Sequence, residues 1–178
     1  MRKLSRIIGL LQVDSTIGDL SGNSARLETL ASIAKDNGAQ MCITTELAVS
    51  GYPPRDLLLQ PDFIRMSQQQ ASSLSVELPV LVGTPVMPDG ERKLPGNGVV
   101  RAGPLSSHPS GEQTNRIVAR KQLLPSYDVF DETRYFQASN RSGICRTIGD
   151  LDLGVTICED AWQAAGLTPS AYGSDPIE

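Results

Sequence analysis

The sequence predicts an α/β layered domain with a mixed sheet, on three observations. Strand and helix periodicities alternate through the first half of the 178 residues. A helical stripe of Leu27, Leu30, Ala31 and Ala34 falls at i, i+3, i+4, i+7 and closes at Gly38. The second half turns to strands and a hairpin, so the sheet is expected to be mixed, not purely parallel.

Each element has its own signal. Residues 7–13 read as a buried strand, 23–37 as the amphipathic helix and 41–47 as a second strand. After the turn-rich Ser50-Gly-Tyr-Pro-Pro54, a helical stretch is predicted over 62–78 and a strand over 79–87. Strands follow over 98–102 and 117–124, and a hairpin joins 144–148 to 151–158 through Gly149-Asp150. The Ser/Pro/Gly segment 103–111 reads as a surface excursion. Asp175-Pro-Ile-Glu178 has the acid, proline and glutamate that open a helix, so we expect an N-terminal fragment, one truncated domain over 1–178.

Composition removes several function classes. With 16 Lys+Arg against 20 Asp+Glu the net charge is −4, and no basic face interleaved with aromatics is visible, which argues against nucleic acid as a partner. No apolar run reaches the roughly 18–20 residues of a membrane helix, and no targeting segment is evident, so a cytoplasmic protein is expected. Three cysteines without CxxC spacing fit neither a disulfide framework nor a zinc site. The single histidine, His108, sits in a loop-like segment, leaving little room for Cys-His or Ser-His catalysis.

Three residues remain with chemistry to offer. Alternation puts Leu151, Leu153, Val155 and Ile157 on one strand face and Cys158 on the other, at a strand end beside Glu159, Asp160 and Trp162, the only tryptophan. Taken alone, Cys158 is a small core filler or a nucleophile. Glu46 ends the second strand on its polar face, as a strand-end acid or a base. Lys121, one of only four lysines, ends a strand-like run before Pro125, either solvated or poised near an oxyanion and a thiolate. The segment after it holds Tyr127, Phe130, Tyr135 and Phe136, half of the eight aromatics, the composition of a packed lid or pocket wall.

Together and in this order, Glu46, Lys121 and Cys158 resemble the Glu-Lys-Cys triad of the nitrilase (carbon-nitrogen hydrolase) superfamily. Three strings narrow the resemblance: Glu46-Leu-Ala-Val-Ser-Gly-Tyr-Pro-Pro-Arg-Asp-Leu-Leu-Leu, Lys121-Gln-Leu-Leu-Pro-Ser-Tyr-Asp-Val-Phe-Asp-Glu-Thr-Arg-Tyr-Phe136, and Gly154-Val-Thr-Ile-Cys-Glu-Asp-Ala-Trp162. They are similar to the glutaminase domains of glutamine-dependent NAD synthetases. The resemblance implies a four-layer αββα sandwich, incomplete at the C-terminus, with Glu46 as base, Lys121 as electrophilic support and Cys158 as nucleophile. It further implies that Glu132 orients the lysine and that Tyr127 and Glu159 hold the substrate's amino-acid end. The substrate would be glutamine, hydrolysed without a cofactor. ATP and Mg would serve a synthetase domain absent from this chain, and the full-length protein would be a homo-oligomer.

Two departures accompany the resemblance. Family members show a clear strand near 94–103, where this chain has Pro95-Gly-Asn-Gly98 and a shorter sheet signal. Members also continue well past the cysteine, so an apolar sheet face is expected to lie uncovered and the isolated chain to have weak or absent glutaminase activity. Two other readings stay open: an amidase or carbamoylase acting on another small amide, and a non-catalytic α/β fragment.

Overall fold

The computed structural model describes residues 6–90, 93–104, 117–141, 143–148, 151–163, 166, 172–173 and 175–177. His108, the 103–111 excursion beyond Pro104 and the Gly149-Asp150 turn lie outside them. The described strands are β1 (Ile8–Leu11), β2 (Met41–Thr44), β3 (Val80–Val86), β4 (Gly96–Ala102), β5 (Ile117–Arg120), β6 (Gly143–Ile148) and β7 (Leu151–Val155). The helices are α1 (Leu20–Asp36), α2 (Pro61–Ser72) and the short α3 (Glu132–Tyr135). A five-stranded sheet runs in the order β1-β2-β3-β4-β5, and β6 pairs with β7. β1, β2 and β3 are parallel, while β4 is antiparallel to both β3 and β5. The sheet is mixed, as expected.

Alternation assigns each face of this sheet a different neighbour. Cys42, Val80, Val82, Val100 and Ala102 pack against Leu27 and Ala31 of α1 and Ala71 of α2. Met41, Ile43, Leu81, Val99 and Val118 turn the other way, onto Leu153 and Val155 of the hairpin. The described layers are therefore helices, sheet and hairpin, three of the four expected. Coverage is uneven: Leu10, in register with Ile43 on that same face, is 77% exposed at the β1 edge.

Several boundaries differ from the sequence reading, among them the ends of the strands expected over 7–13, 41–47 and 151–158, which stop at Leu11, Thr44 and Val155. Helix α1 starts before Asn23 because Asp19 caps it, accepting the Gly22 N–H at 2.9 Å. Asn23 is instead buried within the helix, its amide bonding Thr16 and Val49 carbonyls at 2.8 and 2.9 Å. Helix α2 ends at Ser72, short of 78, where Ser73 turns its hydroxyl back onto the Gln69 carbonyl at 2.8 Å. Strand β5 stops at Arg120, short of 124. The largest difference is β4, a full seven-residue strand where turn chemistry had suggested a short one. Its glycines answer to packing: a Cβ on Gly98 would lie 2.8 Å from Val86 Cγ2 and 3.1 Å from the Ala119 carbonyl oxygen. At 175–177, Asp175 accepts the Ile177 N–H at 2.9 Å, as a capping acid does, within a turn. No helix among the described residues is long and apolar enough to cross a membrane.

Candidate active site

Strand polarity gathers the site. Because β4 opposes both neighbours, β5 runs with β2, and the ends of β2 and β5 share one edge with the start of β4. Glu46 lies two residues past β2, Lys121 directly after β5, and Asn97 is the second residue of β4. Cys158 lies three residues past β7. None of the three candidate residues is within a strand, so alternation does not fix their direction; the turns that follow do.

The Glu46 turn is shaped by close approach. A Cβ on Gly83, in the middle of buried β3, would lie 2.5 Å from the Thr45 oxygen and 2.8 Å from the Leu47 nitrogen. Only glycine lets that turn lie against the sheet, and Leu47 leaves it at φ 50°, anchored among Leu58, Ile64, Leu124 and Phe136. The Cys158 turn is also unusual, opening a short 3₁₀ segment at φ 46°, a left-handed conformation that a non-glycine residue rarely adopts. Asp160 holds it. One carboxylate oxygen accepts the Ile157 N–H at 3.1 Å, and the other accepts the Gln122 and Leu123 N–H groups at 2.9 and 2.8 Å. This acid, 2% exposed, ties the Cys158 turn to the residues following Lys121.

Lys121 is the centre of the charge network. Its side chain has no exposed surface, and its Nζ lies 2.8 Å from Glu46 Oε1 and 2.9 Å from Glu132 Oε2. Burial pulls the amine's pKa down, but the two carboxylates outweigh it and hold it above its ordinary value. Burial raises Glu132 against the attraction of Lys121. Tyr52 also donates to Glu132 Oε1 at 3.0 Å. Cys158 and Glu46 line one cavity; partial enclosure and then the Glu46 charge push the thiol's pKa up, while Lys121 draws it down. Cys158 itself is exposed, at a cavity of about 340 Å³ whose walls include Glu46, Asn97, Leu81 and Val155.

The structure thus brings together Glu46, Lys121, Glu132 and Cys158. Tyr127 and Glu159 meet each other a little apart from the cavity: the Tyr127 hydroxyl donates to Glu159 Oε2 at 2.9 Å, and Tyr172 donates to Oε1 at 3.0 Å. The aromatic segment packs as expected, with Tyr127 edge-on to Phe130 at 5.6 Å and Phe136 buried against Leu47. Sequence reasoning missed Asn97, Tyr52 and Asp160. Their only sequence signals were their places beside a glycine pair, in the Glu46 turn and two residues after the cysteine.

A helix-backed mixed sheet faces a hairpin, and a cysteine, a lysine and a glutamate meet at the strand ends. Known proteins share this architecture. An amidase of the nitrilase superfamily from Nesterenkonia AN1 superposes with TM-score 0.66 over 89% of this chain and 56% of its own, at 19% identity, a likeness of fold. The chain thus has the fold of a nitrilase-superfamily amidase.

The chain is also similar to glutamine-dependent NAD(+) synthetases. That of Synechocystis sp. is 37% identical over 166 residues, 87% of this chain and 28% of the relative. That of Thermotoga maritima is 33% identical over 92% of this chain and 27% of the relative. The solved Acinetobacter baumannii synthetase, in complex with ADP, superposes with TM-score 0.71 at 28% identity over 89% of this chain and 28% of its own. The chain thus spans under a third of the length of the relatives it matches. No family model matches it.

Proposed function

We infer that this chain carries the glutamine-hydrolysing site of a glutamine-dependent NAD synthetase. The observation that carries the reading is the buried lysine bridging two carboxylates, one of which shares a cavity with a thiol held on a left-handed turn. Glu46 takes the thiol proton, and Cys158 sulfur bonds to the side-chain amide carbon of glutamine. Lys121 stabilises the oxyanion. The C–N bond breaks, and ammonia leaves with the proton returned by Glu46. Water, deprotonated by Glu46, then attacks the thioester, releasing glutamate and restoring the thiol. Glu132 keeps Lys121 in place, and Tyr127 with Glu159 holds the amino-acid end of the substrate.

The ammonia would serve the ATP-dependent amidation of nicotinic acid adenine dinucleotide in a synthetase domain, its partner in a full-length, homo-oligomeric cytoplasmic protein. We assign ATP and Mg to that other domain, as the resemblance implies.

The test is covalent labelling by a diazoketone analogue of glutamine, read by mass spectrometry. Cys158 should be modified ahead of Cys42, which has no exposed surface, and Glu46→Gln should slow the reaction. Free glutamine should protect better than acetamide. Equal labelling of the Glu46→Gln chain would refute the mechanism, and better protection by acetamide would make the chain an amidase of small amides.

A further inference from the structure

The two oxygens of Glu46 are not equivalent. Oε1 accepts two hydrogen bonds, from Lys121 Nζ at 2.8 Å and from Asn97 Nδ2 at 2.6 Å. Asn97 is 1% exposed, so its amide is fixed by packing, and its own carbonyl accepts the Lys121 N–H at 2.8 Å. One residue of β4 therefore holds the carboxylate by its side chain and the lysine by its backbone. The cost is visible on the same amide: Asn97 Oδ1 is buried and accepts no hydrogen bond. An acceptor stripped of water with nothing in return opposes folding. An apolar residue of that shape would fill the position without it, so what the asparagine adds there is the donor to Glu46.

We propose that Asn97 is the positioning residue of the general base: with Lys121 it saturates Oε1 of Glu46 and leaves Oε2 as the oxygen that takes the Cys158 proton. The inference rests on Glu46 acting as base in the proposed reaction. In the step concerned, the S–H bond breaks, the proton passes to Oε2, and the sulfur keeps the electron pair with which it attacks. Loss of the amide donor frees the carboxylate to turn about its last torsion, and the oxygen facing the thiol is then no longer fixed. Lysine alone, a single point charge that also serves Glu132, does not fix that rotation.

A double-mutant cycle tests this, with the second-order rate of Cys158 alkylation by iodoacetamide at neutral pH measured by mass spectrometry on the 178-residue chain. Asn97→Leu keeps the shape and removes the donor; we expect a loss of about tenfold. In the Glu46→Gln background the same substitution should change the rate less than twofold, because the base that Asn97 positions is already gone. A loss below threefold in the wild-type background, or an equal loss in both backgrounds, would overturn the proposal and assign Asn97 to packing. Should the leucine chain fail to fold, Asn97→Asp is read by the same criteria. If Glu46→Gln itself alkylates at the wild-type rate, the base assignment has failed, an outcome distinct from failure of the Asn97 inference.

Discussion

Replacing Lys121 by methionine separates a structural cation from a decorative one. The side chain is fully enclosed, Glu132 is 5% exposed and Glu46 21%, so little solvent screens the pair of carboxylates left behind. Removing one partner of a buried ion pair costs about 3–5 kcal/mol. At about 2–4 °C per kcal/mol for a chain of this size, the melting temperature should fall by roughly 6–20 °C. The deficit should depend on pH in one direction. Burial already raises Glu132, and loss of the ammonium raises it further. A carboxyl with a folded pKa above its unfolded value favours the folded state below the unfolded pKa, and that contribution is lost as pH rises through the folded one. Urea denaturation followed by circular dichroism should therefore show the full deficit at mildly alkaline pH and a smaller one in mild acid. A deficit under about 1 kcal/mol, or one that grows toward acid, would refute the reasoning.

Two further substitutions probe the turns. Gly83→Ala places a methyl against the Thr45 oxygen and Leu47 nitrogen, backbone atoms that cannot swing aside. We expect a loss of about 1–3 kcal/mol in denaturation together with slower alkylation of Cys158. Asp160→Ala orphans the N–H groups of Ile157, Gln122 and Leu123, at about 1–3 kcal/mol for each that water cannot reach. Calorimetry should show a loss of at least about 2 kcal/mol, with Asp160→Asn, which keeps an acceptor oxygen, recovering part of it.

Periodicity made the scaffold readable in α1, whose buried Leu20, Leu27 and Ala31 lie on one stripe, and in β3, an apolar run buried throughout. It failed where a tertiary neighbour decides. Pro95-Gly-Asn-Gly98 reads as a turn because glycine usually marks one, yet these glycines are in a strand pressed against Val86 and Ala119. Asn23 read as a helix start, but Asp19 supplies the cap and Asn23 binds two loops from inside the helix. Glu46, Lys121 and Cys158 each had a bland reading in isolation, and only their order and flanking strings pointed to the site. Asp160 was illegible because it acts on backbone N–H groups contributed by residues 37 and 38 positions away.

Asn97 was hidden for a reason that also explains the site. Its position matters only because β4 runs against β3 and β5. A parallel β4 would present its far end to the edge where Glu46 and Lys121 emerge. Asn97, second of seven residues, would then stand sixth from that edge, four residues at about 3.3 Å each, or roughly 13 Å further away. The sequence announces a strand but not its direction, and direction is what puts a neutral amide beside the carboxylate and the lysine. The reversal at β3 to β4 is therefore as much a part of this site as the side chains, because it brings residues from separate strands to one edge.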